Sequence, residues 1–325
     1  MAKILNFKID QYATGQRVDR YLMQKLRGTG FGYVAIQRLC RNGQVRIDGK
    51  RVPAGFKLER GMEIKLPAPD DRTQDPRQGK PKTSAKTKAN AAAVSDSTKK
   101  QWRNSIIYDD DRMIVINKWS GLAVQGGTGT SLHVDAITRA VYGEQAPKLV
   151  HRLDKDTSGV LVLAKTREDA ALLTKAFAEQ EVHKTYVALV QGRPKRAEAR
   201  IDYPLLKKMR FDSEKVEIDL DEGADATTDY ATLAGGNGFT LLSLHPRTGR
   251  THQLRVHCAA IGCPIVGDGK YNDHPQPIGD LPKNLRLHLH AERLALRHPL
   301  LGELAFKAPL PEHMQRSLDA LQIKY

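Results

Sequence analysis

Apolar residues along the chain switch between two periods, and the switches outline its elements. From Gly15 to Leu26, Val18, Tyr21, Leu22 and Leu26 recur at helical spacing. Tyr33 to Arg41 repeats this with Val34, Ile36, Leu39 and Cys40, and Asn42-Gly43 supplies a stop. Val45 to Val52 then alternates about an Asp48-Gly49 turn, and Gly61 to Leu66 reads as a further strand. A small ααβ module within residues 1–67 is predicted. Residues 68–103 lose periodicity: Pro69, Pro76, Pro81, several lysines and an Ala/Ser/Thr-rich stretch from Thr83 to Thr98 offer little to bury. Such a segment cannot offset its ordering entropy, so a flexible basic linker is expected.

A packed domain is predicted over residues 104–325. Ile106–Tyr108 and Met113–Lys118 read as short strands, and Val160–Ala164 as a buried one. Arg167 to Gln180 is helical, with Ala170, Leu173, Ala176 and Phe177 on one face. Val182–Val190 is a strand that places Lys184 and Tyr186 on the same side. Residues 192–238 look polar and loop-rich, with a few short strands. Phe239–Leu244 and Leu285–Leu296 are strands, and Pro311–Tyr325 contains a short helix. A helix with the stripe Leu254, Cys258 and Ile261, stopped by Gly262, is given Thr251 as its N-cap. Short, mostly hairpin-connected strands with few helices predict an α+β domain with a mixed, largely antiparallel sheet.

Composition adds a partner. Fifty-two Lys and Arg against 37 Asp and Glu give a net charge of +15, so a polyanion is expected. Residues 14–67 hold twelve of the cations and four of the acids, with Arg17, Arg20, Arg38 and Arg41 on the helical part, a concentration suited to phosphates. Cys40, Cys258 and Cys263 form no C-x-x-C pair and are odd in number, which argues for a reducing compartment rather than a disulfide framework. Neither an apolar leader nor a run long enough to span a bilayer is seen, so no membrane is implied and a cytoplasmic location is expected.

Two clusters carry chemistry. The first, His151-Arg152-Leu153-Asp154-Lys155-Asp156-Thr157-Ser158-Gly159, runs straight into the strand Val160–Ala164 and fixes polar groups at the mouth of a core strand. A carboxylate among cations stays ionised and can serve as nucleophile, base or anchor. The order H-R-L-D, with no D-F-G, is not that of a protein kinase. The second runs from His245 to His257 and includes Arg247, Arg250, His252 and Arg255; arginines so placed are poorly explained by packing and suit a carboxylate or phosphate. The loop Gln125–Thr130 fails both the dinucleotide and the Walker patterns. His252, His257, His288 and His290 lack the zinc spacing and an acidic third ligand, so no metal is expected.

The strings R-V-D-R-Y-L, I-Q-R-L, G-Q-V-R-I-D-G-K-R-V and G-M-E-I resemble the S4 RNA-binding domain across residues 1–67. H-R-L-D-K-D-T-S-G, K-T-Y-V-A-L-V-Q-G and T-G-R-T-H-Q-L-R-V-H, in that order, resemble the RluA superfamily of pseudouridine synthases across 106–310, and N-K-W-S-G-L-A-V-Q-G-G-T-G is similar to its C-type large-subunit branch. The resemblance implies the pseudouridine synthase fold, a cofactor-free isomerisation of uridine, and 23S rRNA or a large-subunit precursor as partner. A transfer RNA or another ribosomal uridine is the alternative target, and a non-catalytic RNA-binding assembly factor the alternative function. It also implies roles: Asp154 as the catalytic aspartate, Tyr186 packing on the target base, Arg255 in a salt bridge with the aspartate, and Arg152 in the space of a flipped-out uridine. Arg250 and His252 join Arg17, Arg20, Arg38 and Arg41 as expected RNA contacts. Trp119 stands where the family usually has proline, which leaves the shape of that loop open.

Overall fold

The computed structural model describes residues 4–26, 33–68, 94–126, 130, 132–210, 213–282 and 284–325. The chain divides into two compact units, residues 1–85 and 86–325.

In the first unit, strands β1 (Ile4–Lys8), β2 (Arg46–Ile47), β3 (Lys50–Arg51) and β4 (Glu63–Pro67) form a four-stranded sheet in the order β1-β4-β2-β3. Helices α1 (Val18–Lys25) and α2 (Tyr33–Arg41) bury Val18, Leu22, Ile36 and Leu39 in one cluster with Ile47, Ile64 and Leu66 of the strands. The Asp48-Gly49 turn has positive φ at both residues, as a tight hairpin requires. Buried Asp19 binds Arg17, Gln37 and the Arg20 amide and so ties α1 to α2. Burial would raise its pKa, but these hydrogen bonds outweigh burial and hold it below the usual carboxylate value. Strand β1 has a weak alternating pattern, with Ile4 facing solvent, and sequence reasoning passed over it.

The expected linker ends earlier than residue 103. Residues 69–93 lie outside the described ones, but Val94 is buried and Asp96–Ser105 is a helix, α3, capped by the Ser95 hydroxyl. Trp102 is fully buried and donates its indole N–H to the Tyr142 hydroxyl at 3.1 Å. One large aromatic supplies the burial that average composition hid.

The second unit is built on a ten-stranded sheet. Its main path runs β10 (Glu198–Asp202), β13 (Thr227–Gly236), β14 (Phe239–Pro246), β9 (His183–Gln191), β15 (Leu289–His298), β8 (Ser158–Ala164), β6 (Met113–Lys118) and β5 (Ile106–Asp109). At its flanks β16 (Gly302–Lys307) pairs with β15, and β7 (Lys148–Leu149) with β8. A separate hairpin joins β11 (Leu205–Arg210) to β12 (Ser213–Ile218). Residues 192–238 are therefore mostly strand, including the ten-residue β13, and not loop-rich as expected. Their polar faces are edge and hairpin faces, which blurs the alternation. All strand pairs among the described residues are antiparallel except β8 with β15, so the sheet is mixed and largely antiparallel, and the unit is α+β.

Helices cover both faces, which explains the unbroken apolar runs of the central strands. Ile114, Ile116, Leu161 and Leu163 pack with α3 and α4 (Val134–Tyr142), while Met113, Val115, Val160 and Val162 pack with α5 (Arg167–Ala178). Ala188, Val190, Leu242 and Leu244 lie under α6 (Gln253–Ala260), and Val187, Leu189 and Leu241 under α7 (Glu312–Ala320). This places α6 and Tyr186 on one face of β9.

Candidate active site

The loop before β8 is held from both ends and from beneath. Val150 and Leu153 sink into the core, and Thr157 closes a turn by donating its amide to the Asp154 carbonyl. Buried Lys118 donates to the carbonyls of Trp119, Leu122 and Lys155, the Ser120 hydroxyl donates to the Asp156 carbonyl, and the Gly121 amide to that of Lys155. Burial pushes the Lys118 pKa down to about 7, opposed by Asp156 and Asp154. The segment N-K-W-S-G is thus a cradle for the Asp154 loop, and its shape is set by Lys118, Ser120 and Gly121 with tryptophan in the proline position. Gly159 has φ +114°, and a Cβ there would lie 2.2 Å from the Ala291 carbonyl oxygen. Only glycine lets β8 run this close to β15. His151 is structural: its ring stacks on Phe177, Nε2 accepts the Val162 amide, and burial lowers its pKa to about 3.

Helix α6 supplies the opposite wall. Arg255, 8 % exposed, donates Nε and Nη2 to the two carboxylate oxygens of buried Asp268 at 2.7 and 2.6 Å. The Arg255 guanidinium also lies 5.1 Å from the centre of the Tyr271 ring. Asp268 further accepts the amides of Lys270 and Tyr271, which shapes the 267–271 loop. Gly267 lets that loop cross the Arg286 backbone, whose carbonyl oxygen would be 1.9 Å from an added Cβ. The expected Arg255–Asp154 salt bridge is therefore not made: the arginine is satisfied by Asp268, thirteen residues on.

The group facing Asp154 is His252, with Nε2 4.0 Å from Oδ2. The Tyr271 hydroxyl accepts the Val216 amide and lies 2.8 Å from His252 Nδ1. Its proton is free to go to Nδ1, which leaves the ring hydrogen on Nε2, toward Asp154. Burial lowers the His252 pKa, Asp154 opposes this, and Arg255 adds to it, so the ring is neutral at pH 7. His252 also occupies the α6 N-cap in left-handed backbone, φ 54°, with no side-chain cap; the expected cap, Thr251, does not fill that position. Gln253 does the local bracing instead: Oε1 accepts from the Thr248 hydroxyl and the Arg250 amide, and Nε2 donates to Thr227 and Thr228.

These walls enclose a cavity of about 390 Å³ lined by Arg152, Asp154, Lys184, Tyr186, Arg250, His252 and Arg255. Three segments far apart in sequence thus meet at one site. Comparison with known proteins then decides the family. Residues 112–260 match the RNA pseudouridylate synthase profile. The protein named "Ribosomal large subunit pseudouridine synthase C" of Salmonella typhi is 35% identical over 99% of this chain and 97% of its own length. Its namesake in Vibrio vulnificus is 34% identical over 98% and 97%. The chain belongs to the RNA pseudouridylate synthase family. Among solved structures, Human RNA Pseudouridylate Synthase Domain Containing 4 shares 29% identity at a TM-score of 0.58, over 74% of this chain and 98% of its own. The chain is thus a pseudouridine synthase, an isomerase of RNA uridines.

Within this synthase the remaining arginines of the second cluster also have internal acceptors. Arg247 binds Asp229, which Arg200 holds from the other side, and these two guanidinium groups lower the Asp229 pKa to about 2. Arg250 donates Nε to the Asp225 carbonyl. The other three histidines weighed for metal have structural partners: His257 meets Thr228 and the Tyr203 carbonyl, His288 meets Ser317, and His290 meets Ser158. Among the described residues no helix is long and apolar enough to cross a membrane. In the first unit Arg20, Arg38 and Arg41 are exposed, whereas Arg17 is drawn to Asp19. Lys118, Asp268, Tyr271 and Gln253 are the residues sequence reasoning missed. Lys118 alone left a signal, a charge closing an apolar strand.

Proposed function

We propose that this synthase isomerises uridines of 23S rRNA within the large subunit or its precursor, as the names of its relatives suggest, with Asp154 as the reacting group. The observation that carries this reading is the convergence of Asp154, Tyr186, Arg152 and Arg255 on one cavity. Asp154 attacks C1′ or removes the C2′ proton to give a glycal; either route breaks the N1–C1′ bond. The freed uracil turns and C5 joins C1′, either displacing the Asp154 carboxylate from C1′ or adding to the glycal as Asp154 returns the proton to C2′; the C5 proton then leaves and N1 takes one up, so no redox partner or lost group is needed. A target in a stack must first be extruded. Arg152, exposed at the cavity, takes its place, and half-buried Tyr186 covers the uracil face. Burial raises the Tyr186 pKa, so its phenol stays neutral. Arg255 acts through its fixed charge beside Asp154 while Asp268 holds it. The S4-like module, through Arg20, Arg38 and Arg41, adds phosphate contacts.

The test is tritium release from unmodified large-subunit rRNA carrying tritium at uracil C5. Wild type is expected to release it, and Asp154→Asn to bind the RNA with release reduced by at least about 10⁴-fold, in line with loss of a group on which the chemical step depends. Binding without release by wild type would overturn the reading.

A further inference from the structure

Trp119 raises a question the cradle does not answer. Its neighbours hold the Asp154 loop through Lys118, Ser120 and Gly121, but its own indole is only partly buried at the edge of the core. It lines a groove of about 350 Å³ with Ser120, Arg286, His313 and Arg316. An adjoining hollow of about 330 Å³ shares Ser120 and Arg286 and reaches Asp156 and Arg255. Arg255 in turn lines the uridine cavity, so this hollow lies between the Trp119 groove and the Asp154 cavity, sharing a side chain with each.

The chemistry of this groove is cationic and aromatic. Arg286 is exposed and makes no ion pair with a carboxylate among the described residues. Arg316 pairs with Glu312 one turn away on α7, both well exposed, and such a surface pair is worth little and readily exchanged for a phosphate. The Arg286 backbone is fixed, since its carbonyl takes the His288 Nδ1 hydrogen at 2.7 Å and Gly267 packs against it. Two exposed guanidinium groups, that of Arg286 on a braced backbone, beside a partly buried indole match a nucleic-acid strand, whose phosphates and base faces alternate.

We propose that this groove is a docking site for the single-stranded RNA next to the target uridine, with one base stacked on Trp119 and adjacent phosphates on Arg286 and Arg316. The assignment rests on the reading of the 390 Å³ cavity as the uridine site.

The experiment measures affinity for a large-subunit rRNA fragment and tritium release from it for Trp119→Ala, Trp119→Phe and Arg286→Gln. Arg297→Gln, an exposed cation outside the groove, serves as the control for general charge loss. Trp119→Ala is expected to weaken binding by roughly 5- to 150-fold, the range for losing one stacked base, with Trp119→Phe recovering most of it. Arg286→Gln is expected to raise KM and to lower the salt slope of binding by about one, as for one lost phosphate contact. Because Arg286 is exposed, its variant keeps the test readable even if removal of the indole loosens the Asp154 loop. Affinities of Trp119→Ala and Arg286→Gln within twofold of the Arg297→Gln control would overturn the proposal. If wild type binds but releases no tritium, the isomerase reading falls, while weakened binding by the groove variants would still sustain the docking site.

Discussion

Removing the Asp268 carboxylate tests whether Arg255 is held by it. In Asp268→Asn the side chain keeps its size and can still accept the Lys270 and Tyr271 amides, but the guanidinium, 8 % exposed, loses two short charged hydrogen bonds. Breaking a buried pair from one side costs roughly 3–5 kcal/mol because the other charge is left uncompensated. The Asp154 charge nearby offsets part of this, so the lower end is expected. For a unit of this size each kcal/mol moves Tm by about 2–4 °C, which puts the loss at roughly 6–12 °C. Calorimetry of Asp268→Asn, Arg255→Met and the double variant Arg255→Met/Asp268→Asn separates the terms. The double variant removes both charges and is expected to regain much of the stability of the singles, yet none of the tritium release. A single variant that unfolds within about 2 °C of wild type, or a double variant no better than the sum of the singles, would refute the view that this pair is buried and mutually dependent.

Three further outcomes follow. The buried rings of His151, His288 and His290, with pKa values near 3, 4 and 4, refuse protons that the unfolded chain binds below about 6.5, so stability is full above that pH and lost as pH falls toward 4. Together they are expected to cost roughly 6 kcal/mol at pH 5, and equal denaturation midpoints at pH 5 and 7 would contradict this. Gly159→Ala, with its Cβ driven against Ala291, is expected to lower stability by more than about 2 kcal/mol in urea unfolding, beyond the usual glycine-to-alanine effect. Substituting Arg20, Arg38 and Arg41 by Gln should weaken rRNA binding and lower its salt slope by up to about 3, read by filter binding at several salt concentrations; an unchanged slope would remove the first unit from the phosphate interface.

What could be read from sequence was what periodicity and local clustering encode. Strand β8, strand β9 and the polar loop before Gly159 were legible because apolar runs and dense charge are contiguous. The partner of Arg255 was not, since Asp268 sits in a Gly-rich loop without period, and the pairing depends on Gly267 crossing under Arg286. His252 was legible as a polar site residue, but not its left-handed backbone or its place opposite Asp154, because its partner, the Tyr271 hydroxyl, comes from a distant loop. The end of the linker was missed because the fully buried Trp102 stands in a stretch whose composition is otherwise polar.

The parallel pairing of β8 with β15 has a temporal consequence. Ser158 and His290, joined by a hydrogen bond, are 132 residues apart in the chain. Contacts this distant form late, after most of the intervening strands are in place. On the ribosome, Leu289–His298 must leave the exit tunnel before the Asp154 loop can be clamped. Arg20, Arg38 and Arg41 are therefore synthesised, and can fold with their own unit, long before the loop that carries Asp154 is locked in place.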